Sequence, residues 1–172
     1  STAFDVSTSS FVDAFSTSSQ DGRATGIAFN NDGTKMFLTG YDGDDVNEYT
    51  LSTGFDVSTA SFVDSFSVSS QEDNPSDLAF NSDGTKMFVV GITGDDINEY
   101  TLSTGFDVST ASYDSNFSVA SQDTEPTGLT FSTDGKKMFV IGNSGNDVNE
   151  YTLSTGFDLS LIHISEPTRL SA

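Results

Sequence analysis

The chain has 172 residues, and its 26 acidic and 6 basic residues give a formal net charge of −20 at pH 7. This charge excludes a general binder of the nucleic-acid phosphate backbone, because such a partner would be repelled. The sequence contains no cysteine, which excludes disulfides and thiolate metal sites, and we expect no membrane span because no apolar run is long enough.

In chain order, the first 51 residues contain four strand-like segments, at 10–17, 25–29, 35–39 and 45–51. Asp32-Gly33 stands between two of them and predicts a tight hairpin, because glycine accepts positive φ and aspartate bonds back to local amides. Residues 35–39 are apolar on both faces, which indicates a strand packed between two sheets. No segment combines helical periodicity with helix caps, so the sequence predicts an all-β chain.

The same pattern repeats every 51 residues. Residues 1–51, 52–102 and 103–153 align without insertion, and a fourth copy begins at 154–158. A period near fifty residues is typical of stacked or radial supersecondary units. We therefore predict one repeat array over residues 1–158, in which the repeat is the folding unit.

The hairpin at 80–90 reads Phe-Asn-Ser-Asp-Gly-Thr-Lys-Met-Phe-Val-Val. It resembles the inner hairpin of β-propeller repeats of the TolB-like, YVTN-type and WD40-like groups, although the Trp-Asp and Gly-His marks of true WD40 repeats are missing. Four antiparallel strands in about fifty residues are also typical of one propeller blade. The expected fold is an all-β β-propeller fragment with three four-stranded antiparallel blades of 51 residues each. The resemblance implies no particular activity.

The repeat boundary is permuted relative to the blade, because the chain begins with the segment that would form a fourth strand. We expect residues 1–19 to complete the sheet begun by residues 127–153, in a velcro-like closure. Closed propellers usually have about four to eight blades. Three blades therefore predict either an open arc cut from a larger ring or two copies that form a six-bladed homodimer.

The repeat breaks after Asp158, where the chain reads Leu-Ser-Leu-Ile-His-Ile-Ser-Glu-Pro-Thr-Arg. This string resembles the translation of a transposase-type sequencing adapter. We interpret residues 159–172 as an adapter-derived tail on a metagenomic fragment and exclude them from the fold prediction. His163, the only histidine of the sequence, lies in this tail.

Propeller connectivity predicts that two sets of loops share one acidic rim. The loops after each fourth strand carry a predicted binding rim, which comprises Asp21, Glu72, Asp73, Asp77, Asp123 and Glu125. The loops between second and third strands carry oxygen ligands that would suit Ca²⁺, namely Asp42, Asp44, Asp45, Asp95, Asp96 and Asp147. The alternative for these loops is a β-turn whose carboxylates accept backbone amides, because the spacing of a complete calcium loop is absent.

Two further residue types recur at fixed positions. We predict that Tyr49, Tyr100 and Tyr151 pack between blades. We predict that Lys35, Lys86 and Lys137 protect strand ends near the hairpins.

The repeats contain no histidine and no cysteine, so nucleophile systems that need either residue are excluded. We therefore expect a non-enzymatic scaffold that binds a protein or glycan, without a cofactor other than Ca²⁺. The expected setting is a larger surface or phage-associated protein, extracellular or on a virion. Two alternatives remain: a Ca²⁺-dependent carbohydrate-binding propeller, and a fragment of a propeller hydrolase that uses carboxylates.

Overall fold

Residues 5–161, described by a computed structural model, contain eleven β-strands in three antiparallel sheets. Blade A comprises β1 (Ala24–Phe29), β2 (Lys35–Gly40), β3 (Asp45–Leu51) and β4 (Ala60–Ser67). Blade B comprises β5 (Pro75–Phe80), β6 (Lys86–Gly91), β7 (Asp96–Leu102) and β8 (Ala111–Ser118). Blade C comprises β9 (Pro126–Phe131), β10 (Lys137–Gly142) and β11 (Val148–Thr152). Short 3₁₀ turns lie at Val6–Thr8, Val57–Thr59, Val108–Thr110 and Leu159–Leu161.

The predicted fold class is confirmed, since each blade is an antiparallel sheet of consecutive strands. Blade C differs from the prediction in one respect, because it has three strands within the described part of the chain. Residues 10–17 form no strand, and residues 5–19 do not complete this sheet. Residues 1–4 of the predicted closing segment lie outside the described residues. The physical reason is that a strand needs a neighbouring strand edge for its backbone bonds, and this segment lies beside none.

The hairpin turns form as predicted. Each turn also packs against the connector, which is the segment that follows the third strand of the same blade. Gly33 has φ +71°, and the Asp32 carboxylate accepts from the backbone N–H of Thr34 at 3.0 Å. The ring of Phe55 packs so closely on Gly33 that a Cβ there would lie 2.4 Å from it. Phe55 itself has φ +61°, an uncommon backbone for a bulky residue. Only glycine fits beneath this ring.

The hydrophobic core lies between the blades. Phe37 of blade A is fully buried against Phe80 of blade B, with ring centroids 4.5 Å apart. The equivalent pair Phe88–Phe131 joins blades B and C at 4.6 Å. Successive side chains of a strand point to opposite faces, so every blade offers one face to each neighbour.

The recurring tyrosines are buried. Tyr100 and Tyr151 pack between blades, as predicted, whereas Tyr49 packs against Phe15 and against its own blade. Tyr100 lies edge-on to Phe66 of the preceding blade at 5.5 Å and to Tyr113 of its own blade at 5.8 Å. Burial raises the pKa of Tyr151 to about 12. The rings of Tyr100 and Tyr151 therefore serve packing between blades.

The prediction for the lysines is wrong. The Lys35 Nζ lies 2.6 Å from Glu48 Oε1 and also donates to the carbonyl oxygen of Phe106 in blade B at 2.5 Å. The second oxygen of Glu48 accepts from the backbone N–H of Val108 at 3.0 Å. We call this arrangement the interblade latch. It recurs one repeat later, where Glu99 pairs with Lys86 and accepts from the N–H of Leu159 at 3.0 Å.

Leu159 was assigned to the tail from the sequence, yet it is buried in the core between blades B and C. It occupies the position that Val108 has one repeat earlier, at the start of an equivalent 3₁₀ turn. The repeat structure therefore continues through residues 159–161. The adapter interpretation of residues 159–172 stays a prediction, because the fold of residues 159–161 does not test the origin of the sequence and residues 162–172 lie outside the described part of the chain.

Candidate ligand-binding rim

The two predicted loop sets meet at one rim, because a carboxylate in one set binds backbone N–H groups of the other. Glu72, which is fully buried, accepts from the N–H groups of Thr93 and Gly94 at 3.1 and 3.0 Å. It also accepts from the N–H of Asn74 at 2.8 Å. Both oxygens of this side chain are thus used within the protein.

Asp21 and Asp123 hold the same position in the neighbouring copies and are also buried. Asp21 accepts from the N–H groups of Arg23 and Gly43, at 2.5 and 3.3 Å. Asp123 accepts from the N–H of Gly145 at 2.8 Å, and its hydrogen bonds lower its pKa against the opposing effect of desolvation. These three predicted rim residues therefore tie the loops together, and their oxygens are occupied in this structure.

Asp45, Asp96 and Asp147 accept hydrogen bonds from neighbouring asparagine side chains, and not from the backbone amides that the alternative interpretation expected. Asn47 and Asn149 donate to Asp45 and Asp147 at 2.6 and 3.0 Å. Asp96 accepts from Asn98 at 2.8 Å and also from Asn116 of the adjacent strand. Desolvation raises the pKa of Asp45 and of Asp96.

Asp44 and Asp95 differ from these neighbours, because each has one buried carboxylate oxygen, Oδ1, without a hydrogen-bond partner. Both residues have left-handed backbone, with φ of 49° and 51°, and the third copy has Asn146 there with φ 56°. Aspartate and asparagine tolerate this conformation better than most residues do. The loop backbone thus selects the residue type.

The pKa of the Asp44 carboxyl is raised. Desolvation is the largest cause, followed by the negative charges of Asp73, Asp21, Glu72 and Asp42. Since Glu72 and Asp73 belong to the next repeat, the acidic field on Asp44 comes from two adjacent blades. Asp42 and Asp73 are exposed, and hydrogen bonds from Thr93 and Asn74 lower the pKa of Asp73. We refer to Asp42, Asp44 and Asp73 as the acidic rim group.

Asp77 lies within strand β5 and not in the loop where the sequence placed it. Its Oδ1 accepts from the N–H of Leu78 at 2.9 Å, and its Oδ2 accepts from the N–H of Leu129 in strand β9 at 2.9 Å. Desolvation raises its pKa. The equivalent positions in the other copies are Gly26 and Gly128, so this cross-strand carboxylate is specific to blade B. Glu125, the last predicted rim residue, is exposed.

Within residues 5–161, no three or more histidine, cysteine, aspartate or glutamate side chains form a group that could hold a metal ion. The six predicted Ca²⁺ ligands form two groups. Asp45, Asp96 and Asp147 accept from asparagine side chains, and the other three are Asp42, Asp44 and Asp95. None of the helical segments that the structure describes could cross a membrane.

Comparison with known proteins identifies the fold. No protein-family model matches the sequence. No curated protein matches it either. Solved structures do: a Lactobacillus plantarum protein has a TM-score of 0.60 and 17% identity, over 81% of this chain and 40% of that one. A candidate 6-phosphogluconolactonase from Bacteroides uniformis has a TM-score of 0.58 and 13% identity, over 76% of this chain and 37% of that one.

A third structure is the periplasmic gluconolactonase PpgL of Pseudomonas aeruginosa, with a TM-score of 0.54 and 13% identity. It is matched over 76% of this chain and 37% of its own length. At these identities the similarity establishes a propeller-type fold. The chain spans well under half the length of each of these three proteins.

The expectation that the chain is not an enzyme is corrected by these neighbours, since two of the three are described as lactonases. The absence of histidine and cysteine from the repeats excluded only nucleophile systems that need those residues. Carboxylates can act as general bases without either residue.

Proposed function

We propose that the chain supplies three blades of a propeller hydrolase that takes a neutral, polyhydroxylated ester or lactone at the acidic rim group. The observation that carries this proposal is Asp44, whose Oδ1 has no hydrogen-bond partner and whose pKa is raised. Unsatisfied buried acceptors are uncommon in proteins and call for an explanation. A ligand hydroxyl or a water that donates to this oxygen would provide one.

The charge of the rim favours a neutral ligand. Asp42 and Asp73 lie close enough to raise the pKa of Asp44 by their negative charge. A phosphorylated sugar lactone would meet the same repulsion, and the formal net charge of −20 adds to it. Sugar hydroxyls, in contrast, donate hydrogen bonds to carboxylates, and such bonds are stronger than those between neutral groups.

The raised pKa also suits a general base. A carboxylate whose pKa is raised toward the working pH accepts a proton from water more readily than an ordinary one. In the proposed step, Asp44 takes a proton from a water whose oxygen attacks the ester carbonyl. The ring C–O bond then breaks, the alkoxide oxygen takes the proton that Asp44 removed from water, and the product is the open hydroxy acid with Asp44 again ionised.

The test is hydrolysis of glucono-δ-lactone by the purified chain, followed with a pH indicator and corrected for spontaneous hydrolysis. Asp44→Asn should lower the enzymatic rate about 100-fold or more. It should leave the unfolding temperature nearly unchanged, because Asn146 already occupies the equivalent backbone. Asp64→Asn, on the exposed outer strand β4, is the matched control and should keep the wild-type rate.

Wild-type protein that does not exceed spontaneous hydrolysis would overturn the proposal, as would equal rates for wild type and Asp44→Asn. 6-Phosphogluconolactone serves as the charged comparison and should react more slowly than the neutral lactone. A preference for the phosphorylated substrate would contradict the assignment of a neutral ligand.

Ca²⁺-dependent carbohydrate binding is the second candidate, and the free Oδ1 atoms of Asp44 and Asp95 favour it. A bound ion would stabilise the folded state and raise the unfolding temperature in millimolar CaCl₂. The Asp44→Asn and Asp95→Asn double variant should lose this rise. No rise with the wild-type protein would remove this candidate.

A further inference from the structure

Among residues 5–161, blade C has a free strand edge where the other two blades have a fourth strand. Strand β4 pairs with β3 from Leu51↔Ala60 to Asp45↔Ser67, and β8 pairs with β7 in the same register. Within the described residues, no strand pairs with the outer edge of β11. This leaves a row of backbone donors and acceptors open to another strand.

The face of blade C that follows this sheet is also uncovered. Val148 is 66% exposed, whereas the equivalent residues Val46 and Ile97 are fully buried against the next blade. Ile141 is 48% exposed where Val90 is fully buried. A cavity of about 410 Å³ opens here, lined in part by Phe139, Ile141 and Val148. This face therefore has the side chains of an interblade contact, and within residues 5–161 no blade covers them.

The opposite end of the arc has the complementary face. Ile27 of β1 is 55% exposed, whereas the equivalent Leu78 and Leu129 are buried against the preceding blade. Phe29 and Phe55 form a ring pair at 5.5 Å. The equivalent pair in blade B, Phe80 and Phe106, receives Phe37 of blade A. The pair in blade A therefore offers a place for Phe139.

Residues 9–16 are a near copy of strand β4. They read Ser-Ser-Phe-Val-Asp-Ala-Phe-Ser against Ala-Ser-Phe-Val-Asp-Ser-Phe-Ser at 60–67. Phe15 packs edge-on against Tyr49 of blade A at 5.3 Å and 78°. Phe66 and Tyr100 have the same geometry, at 5.5 Å and 78°. Phe15 thus occupies the place of a preceding blade's fourth strand, although no such blade lies beside it.

We propose that two copies of this chain close a six-bladed ring by exchanging these segments. Residues 9–16 of each copy form the fourth strand of the other copy's blade C. The registers within blades A and B fix the pairing as Val148↔Phe15, Glu150↔Asp13 and Thr152↔Ser10. The interface joins different surfaces, and two such contacts close into a ring with two-fold symmetry.

The interblade latch supports the same partner. Glu48 and Glu99 are buried and each accepts a backbone N–H from the next blade. Lys137 and Glu150 form the third pair, but both side chains are 50% exposed. Val57 is the repeat equivalent of Val108, which donates its N–H to Glu48. In the proposed ring, Val57 of the second copy lies opposite Glu150 in the same way. The ion pair of the blade C latch is therefore present, and the other copy has a matching connector for it.

A second copy fits better than closure within one chain. The segment that contains Phe15 contacts blade A, and blade B lies between blade A and the free edge of β11. Three blades are fewer than the four to eight of closed propellers, and six lie within that range.

The first test is the molar mass in solution by size-exclusion chromatography with light scattering. Wild-type protein should have twice the 18.2 kDa mass of one chain. Val148→Asp places a charge in the contact and should give a folded monomer. Val63→Asp, at an exposed position of β4, is the matched control and should remain a dimer. A wild-type monomer, or a Val148→Asp dimer, would overturn the proposal.

The second test uses the absence of native cysteine. Ser10→Cys with Thr152→Cys places thiols in paired positions and should give a covalent dimer on a non-reducing gel. Ser10→Cys with Asn149→Cys is three residues out of register, about 10 Å, and should not cross-link. An internal disulfide in a monomer would show closure within one chain and refute the exchange. Equal cross-linking of both pairs would refute the register.

Discussion

Replacing Glu99 with alanine removes the acceptor in the latch between blades B and C. Glu99 is 1% exposed, and it binds the ammonium group of Lys86 and the backbone N–H of Leu159. Breaking a fully buried ion pair typically costs about 3–5 kcal/mol. Lys86 retains 27% exposure, so its ammonium stays partly hydrated and the cost should be smaller. The unpaired N–H of Leu159 adds about 1–3 kcal/mol.

We therefore expect Glu99→Ala to lower the free energy of unfolding by about 3 kcal/mol, within the range of those principles. Glu99→Gln keeps an acceptor for the N–H of Leu159 and should lose less. Glu150→Ala is the matched control, because the equivalent pair is half exposed in one chain and should cost at most about 1 kcal/mol.

The assay is urea unfolding followed by tyrosine fluorescence and far-ultraviolet circular dichroism. All variants are made in the Val148→Asp background, so that burial of Glu150 by a second copy does not affect the comparison. With a denaturant dependence of about 2 kcal/mol per molar urea, the Glu99→Ala midpoint should fall by about 1.5 M. Equal losses for Glu99→Ala and Glu150→Ala would refute the argument that burial in the latch sets the cost.

Two further predictions concern burial at other sites. Desolvation raises the pKa of Asp77 above 3.8, so the folded state takes up its proton at a higher pH than the unfolded state. Stability should therefore rise as the pH falls from neutral toward 4, and Asp77→Asn should reduce this rise in urea midpoints measured at pH 7 and 4.5. Tyr100→Ala should cost about 3–5 kcal/mol because its ring is fully buried. Tyr113→Ala, at 43% exposure, should cost clearly less.

Each of these two predictions has an outcome that would contradict it. An unchanged pH dependence in Asp77→Asn would mean that this carboxyl does not carry the effect. Similar losses for the two tyrosine variants would mean that burial between blades does not determine their contribution to stability.

The strands and turns were largely predictable from the sequence, because they depend on local patterns. Asp32-Gly33 marked the hairpin, and the apolar residues 35–39 indicated a strand packed on both faces, as the buried side chains of Met36, Phe37 and Leu38 show. Residues 10–17 were the exception. Their pattern is that of a strand, but a strand forms only where another strand edge is available.

The position of the acidic rim could be predicted from the sequence, but the roles of its carboxylates could not. Propeller connectivity brought both loop sets to one rim, and the N–H groups of Thr93 and Gly94 in one set do donate to Glu72 in the other. The sequence did not show that Glu72 is buried, nor that Asp77 bridges two strands of different blades. A carboxylate looks the same in a sequence whether its oxygens are occupied by backbone amides or left without a partner, as in Asp44.

By itself, the sequence determined the repeat unit, the all-β class and the faces of each strand, because these follow from periodicity and from turn residues that act over a few positions. The tertiary structure was needed to show which charged side chains form contacts between blades. The sequence suggested that Lys35 is a strand-end charge, but in the structure Lys35 pairs with Glu48 and donates to the carbonyl oxygen of Phe106 in the next blade. Contacts between repeats depend on how blades pack side by side. The sequence pattern of one repeat does not show which residues of two neighbouring blades come close together.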